Sequence, residues 1–100
     1  MDESLDNLLH RDQLMDAGVP EGVQESAWVS ASQRGDALCF NRLVLKWEKP
    51  IYNLCLRMLL DQDEAAESAQ EVFCSAFKNI QRFRRDARFS TWLYRIAVNH

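Results

Sequence analysis

The stretch ALCFNRLVLKWEKPIYNLCLRMLL, residues 37–60, decides the fold class. Its apolar positions Phe40, Leu43, Val44, Trp47, Ile51, Leu54, Cys55, Met58 and Leu59 recur at spacings of three and four. That is the repeat of one face of an α-helix, and no alternating strand pattern of useful length occurs elsewhere in the chain. Lys46, Glu48 and Lys49 read as an exposed face of this helix. Pro50 lies inside the pattern and removes the hydrogen bond to the carbonyl of Lys46, so a kink or break near residues 46–50 is expected.

The flanking segments read the same way. Gly35 suits the left-handed stop of a preceding helix, and the Asp36 carboxylate can accept from the free amides of the next one. The preceding helix is expected over Glu25 to Arg34, with Ala27, Trp28 and Ala31 as its apolar stripe. A third helix opens after Asp61 or Asp63, with Glu64 and Glu67 placed to meet the positive end of the helix dipole. Its stripe is Ala66, Ala69, Val72, Phe73, Ala76, Phe77 and Ile80, and its polar face carries Glu67, Gln70, Glu71, Ser75, Lys78 and Asn79. Residues 82–88 break the periodicity and read as a basic loop. Ser90 then reads as the cap of a fourth helix, with Phe89 just outside it and able to staple onto Tyr94. The expectation is an all-α, compact bundle of three to four helices over residues 25–100. Residues 1–24 form an acidic extension set off by Gly18, Pro20 and Gly22, expected to be flexible, in which Leu5, Leu8, Leu9 and Met15 could line a short helix. The fourth helix has no stop signal before His100, so the chain is expected to be part of a longer protein.

A length of 100 residues suits one domain, and 47% hydrophobic with 27% charged residues is a globular composition. Cys39, Cys55 and Cys74 show neither a zinc spacing nor an even count, and read as buried free thiols in a reducing compartment. No leader peptide and no apolar run of about 18 residues occurs, so a cytoplasmic protein is expected. No Ser-His-Asp set, carboxylate pair or glycine-rich phosphate loop appears either. A binding module without metal or cofactor is expected, and not an enzyme.

The formal charge of −3 conceals a segregation. Residues 1–36 carry a net −6, residues 37–77 a net −2 and residues 78–100 a net +5. That last block holds Lys78, Arg82, Arg84, Arg85, Arg88 and Arg95 against the single acid Asp86, interleaved with Phe83, Phe89, Trp92 and Tyr94. Basic side chains track a phosphate backbone, and aromatic faces among them offer platforms for unstacked bases. On the fourth helix Trp92, Arg95 and Asn99 project within about 60° of one another, beside an inward arc of Leu93, Ile96, Ala97 and His100. An Asn amide both donates and accepts, which suits the edge of a base. An ordinary amphipathic helix with a half-buried Trp is the bland alternative for that row.

Residues 70–99, QEVFCSAFKNIQRFRRDARFSTWLYRIAVN, strongly resemble the second conserved region of bacterial extracytoplasmic-function (ECF, group 4) sigma factors. That family typically shows a Gln-Glu-x-Phe helix, a Phe-Arg-Gly-Asp loop and a Thr-Trp-Leu-Tyr-Arg-Ile-Ala-x-Asn helix. A looser match extends upstream through Arg34-Gly35-Asp36, Phe40 and Leu43, so the resemblance covers roughly residues 26–100. It implies a domain that docks on a coiled coil of the largest subunit of core RNA polymerase and reads the promoter −10 element. Glu67, Gln70, Glu71, Phe73 and Cys74 would face the polymerase. Phe83, Arg84, Arg85, Asp86, Arg88, Phe89, Ser90 and Thr91 would approach the non-template strand. Trp92, Arg95 and Asn99 would line its path, with Asn99 near a flipped-out base. An anti-sigma factor is the partner that the resemblance implies for regulation, and a −35-reading region 4 domain would follow in the longer protein. Two positions depart from the family pattern: Arg85 stands where the loop has glycine, and Glu67-Ser68-Ala69 replaces an acidic pair.

Two other readings compete. The chain could be a helical interaction module whose basic surface is masked by an anti-sigma-like acidic partner or by its own first 24 residues. It could also be a helix-turn-helix duplex reader, but residues 82–88 are longer than the three- or four-residue turn which that motif needs.

Overall fold

The computed structural model describes residues 21–99, and every described element is helical. Helix α1 is Glu21–Gln33, α2 is Ala37–Leu59, α3 is Gln62–Asn79 and α4 is Phe89–Asn99, with a 3-10 turn at Ile80–Arg82. The expected fold class holds. The extension through residue 20 and His100 lie outside the described residues, and with them the short helix expected there.

The helix boundaries follow from the capping chemistry. Gly35 takes φ 98°. The Asp36 carboxylate accepts from the amide of Cys39 at 3.1 Å and opens α2. That amide holds the Asp36 carboxyl below the ordinary carboxylate range. Burial, reinforced by the Asp36 carboxylate, pushes the Cys39 thiol up. Asp61 opens α3 in the same manner, accepting from the Glu64 amide at 2.9 Å. Between them Leu60 closes α2 at φ 58°, its amide donating to the carbonyl of Leu56.

Two expectations about these helices are corrected. α1 begins at Glu21, four positions before the expected Glu25, and its buried residues are Val29, Ala31 and Ser32, whereas Ala27 is exposed. Ser32 can sit there because its hydroxyl donates to the carbonyl of Trp28 at 2.7 Å. α2 runs through Pro50 without a break. Leu43 and Ile51, on either side of the proline, are both 0% exposed, so both halves of the helix are held against the same interior. The loss of one backbone hydrogen bond is offset by burial of a continuous apolar face.

α3 lies against α2 and α4. It buries Ala65, Ala69, Val72, Phe73 and Ala76. Ala66, assigned to that stripe from the sequence, is exposed, and Phe77 is exposed on one side while its ring meets that of Phe40 at 4.9 Å. Leu93 and Ala97 carry α4 into the same core, with Phe83 and Phe89. Glu25 joins α1 to α2 by accepting from the indole N–H of Trp47 and pairing with Lys46 at 3.7 Å. Lys46 is therefore part of a helix–helix joint and not simply a solvated charge.

Candidate nucleic-acid interface

The basic loop between the 3-10 turn and α4 has no regular backbone pairing of its own, so something else must hold it. The first anchor is aromatic. Phe83 and Phe89, at the two ends of the loop, are 6% and 5% exposed. Phe83 stacks on Trp92 with ring centroids 4.9 Å apart and meets Phe89 edge-on at 6.0 Å. Trp92 completes the cluster at 5.8 Å from Phe89. Both Phe83 and Phe89 were expected to approach a strand, but their faces are occupied by each other and by Trp92. Burying two rings is what fastens a segment with few hydrogen bonds, and it leaves neither as a stacking platform. Phe89 is also the first residue of α4 and not a residue outside it, and Ser90 lies within the helix. The expected staple to Tyr94 is absent; Tyr94 packs edge-on against Trp47 at 6.4 Å.

The second anchor is polar and comes from α1. The Gln33 amide donates to the carbonyls of Ile80 at 3.0 Å and Phe83 at 2.8 Å. Arg85 turns back to the same helix, donating to Ser30 Oγ at 2.6 Å, to the Ser26 carbonyl at 3.1 Å and to the Ser26 hydroxyl. Its backbone is at φ 66°, the left-handed region. A residue other than Gly, Asn or Asp costs roughly 1–2 kcal/mol there, so the loop follows a path that glycine would take without strain. Nothing in the sequence of α1 marks Ser26, Ser30 or Gln33 for this role, because small polar residues on a polar helix carry no pattern.

Around these anchors the loop's remaining charges point outward. Arg84, Asp86 and Arg88 are exposed, as is Thr91 on the first turn of α4, and Ser90 is half-buried. Along α4 the expected row is realised: Trp92, Arg95 and Asn99 line one shallow pocket of about 320 Å³, together with Ile96 and Ser75 of α3. Ser75 was not singled out from the sequence; only the packing of α3 on α4 brings it there. Arg95 and Asn99 also border the adjoining depression formed with Thr91, Tyr94 and Val98. Half of Trp92 is committed to the ring cluster, while Arg95 and Asn99 are exposed. The arrangement offers a guanidinium for phosphate and an amide for a base edge within one concavity.

On the other side of α3 a wider groove of about 730 Å³ runs between α2 and α3. Gln70, Phe73 and Cys74, three of the residues expected to face the polymerase, line it, and Phe73 is buried. Glu67 and Glu71 are exposed and lie outside that lining. Glu48, Lys49 and Tyr52 of α2 form the opposite wall. The sequence assigned Glu48 and Lys49 only to a solvated face, since the groove exists only once the two helices pack. Cys39 and Cys55 are half-buried and buried, but Cys74 is exposed, against the expectation of three buried thiols. Among the described residues no cluster of His, Cys, Asp and Glu could hold a metal ion, and no helix is long and apolar enough to cross a membrane.

Residues 43–100 match the family model of sigma-70 region 2. The RNA polymerase sigma-H factor of Pseudomonas aeruginosa is 45% identical over 76 residues, which is 76% of this chain and 39% of that protein. The ECF RNA polymerase sigma factor SigW of Bacillus subtilis is 46% identical over 67 residues, covering 67% of this chain and 36% of that one. The ECF RNA polymerase sigma-E factor of Escherichia coli strain K12 is 37% identical over 79 residues, 79% of this chain and 41% of the relative. The chain thus spans about two fifths of the length of these curated relatives. Among solved structures, an engineered region 2 of sigmaE in complex with GTAAAA superposes with a TM-score of 0.73 at 33% identity, covering 81% of this chain and 84% of that one. With more than half of its length matched by the model, the chain belongs to the sigma-70 region 2 family.

Proposed function

We propose that this chain is the core-polymerase-binding and −10-reading module of a group 4 ECF sigma factor, acting in the cytoplasm in transcription initiation. The observation that carries the reading is the convergence of Trp92, Arg95 and Asn99 on one pocket of α4, beside a loop that exposes Arg84 and Arg88. The non-template strand runs along this surface, its phosphates near the arginines and a separated base near Asn99. Extruding a base costs a few kcal/mol, which contacts in a preformed concavity must offset. Support comes from the similar engineered sigmaE region 2, whose structure is a complex with GTAAAA. The α2–α3 groove, with Gln70 and Cys74 on one wall and Glu48, Lys49 and Tyr52 on the other, takes the coiled coil of the polymerase's largest subunit. The exposed Leu38 and Leu45, seven positions apart on α2, favour a protein partner on that helix as well, and an anti-sigma factor is the natural occupant. The masked-module reading and the sigma reading then describe the same chain at different times.

Fluorescence anisotropy with the single-stranded GTAAAA oligonucleotide tests the reading. Binding is expected, weaker for a scrambled strand, and falling steadily as salt rises. Equal and salt-independent signals for the two strands would leave only the interaction module.

A further inference from the structure

The guanidinium of Arg85, carried on a left-handed backbone, is the feature that the proposed function does not absorb. Both terminal nitrogens of Arg85 are engaged, Nη1 with Ser30 and Nη2 with Ser26. Three of the five N–H donors of the guanidinium are used there, so only Nε–H and one Nη1–H remain for a strand. Arg85 is exposed, as Arg84 and Asp86 are, so this contact with α1 lies on the surface of the molecule. Gln33 holds the start of the same segment through the carbonyls of Ile80 and Phe83. The loop is therefore braced at two points along one helix. Between the braces and the start of α4 lies a cleft of about 410 Å³, bordered by Ser26, Val29, Phe83, Arg85, Arg88 and Phe89. All three bracing side chains of α1 lie upstream of residues 43–100, the part that the family model matches.

From this geometry we infer that Arg85 is a positioning residue, a strut from the loop to α1, and that α1 thereby sets the shape in which Arg84, Arg88 and the loop backbone meet the strand. The inference rests on the proposed function of the loop and extends it. A glycine at this position would follow the same left-handed path but would leave the loop free to lift from α1. Arginine gives up that backbone ease and replaces it with three hydrogen bonds to a helix 55 to 59 positions away in sequence. The consequence is that loop shape depends on Ser26 and Ser30 of α1.

A cycle of variants in the full 100-residue chain tests this, read by affinity for the GTAAAA oligonucleotide over a series of salt concentrations. R85A and R85G are each expected to weaken binding about tenfold, and S26A/S30A, which keeps the bond to the Ser26 carbonyl, about threefold, the net size of an ordinary exposed hydrogen bond. Combining R85A with S26A/S30A should be no worse than R85A alone, and S26T/S30T should restore the parent affinity because the hydroxyl acceptors return. The salt dependence should stay that of the parent throughout, with thermal unfolding midpoints lowered by at most about 5–10 °C. If Arg85 were a phosphate contact, R85A would flatten the logarithmic salt slope by about 0.7, the single-strand value for one phosphate, and S26A/S30A would be inert. That pattern overturns the inference. If the parent itself fails to bind, the proposed function falls, and the strut is judged by amide hydrogen exchange at residues 84–88. Faster exchange in both R85A and S26A/S30A supports it, and unchanged exchange overturns it.

Discussion

In the loop of residues 83–88 and at the Phe89 that follows, the rings lie inside the molecule and the guanidinium of Arg85 is bonded to α1. On α4, which carries the same mix of rings and basic residues, Arg95 and Asn99 are open to solvent and Trp92 is open on part of its surface. The contrast follows from how each segment satisfies its backbone. A helix bonds its own amides and carbonyls, so the residues on its outer row are free of structural duty. The loop cannot do that, and its order comes from side chains: two buried phenyl rings, and hydrogen bonds that reach back to α1. Aromatics in an irregular segment are therefore anchors first. Aromatics on the outward row of a helix can be surface.

The sharpest way to break this comparison is to remove an anchor. Phe83→Ala and Phe89→Ala are each expected to destabilise the fold by about 3–5 kcal/mol, measured by urea denaturation. Either variant remaining as stable as the parent while losing oligonucleotide binding would return that ring to the strand-facing surface. The outer row should behave oppositely. Asn99→Ala is expected to reduce discrimination between matched and base-substituted strands by about 1–3 kcal/mol. Arg95→Ala should weaken all strands alike and flatten the salt slope by about 0.7. Both should leave the denaturation midpoint where it is, and a large shift in it would make α4's row structural. The smallest effect is expected far from either region. The Cys39 amide lowers the Asp36 carboxyl below its ordinary value in the folded chain, so this contribution to stability is present above the unfolded value and lost as pH falls. The parent should therefore weaken as pH drops from about 4 through that lowered value. Asp36→Asn, which keeps an acceptor that does not titrate there, should remove this part of the pH dependence without altering oligonucleotide binding at neutral pH.

Much of the architecture was legible from residue order. The three-and-four spacing of residues 37–60, the cap at Asp36 and the cap at Asp61 placed α2 and α3 within one or two positions. The row Trp92, Arg95, Asn99 was legible for the same reason, since a helix converts spacing directly into direction. Errors gathered where direction depends on a neighbour: Pro50, which did not break α2; Ala65 in place of Ala66 in the core; Val29 in place of Ala27 on α1.

What the sequence determined by itself was the helical class, the segregation of positive charge into residues 78–100, and a resemblance specific enough to name a family. These rest on local chemistry: periodicity, capping and charge count do not need a partner segment. Which rings are buried, which arginine is bonded to α1, and which side chains of α1 and α2 border the loop and the groove were decided only by tertiary packing. A side chain's exposure is set by what lands on it, and Phe83, Arg85 and Ser26 meet only when the chain is folded.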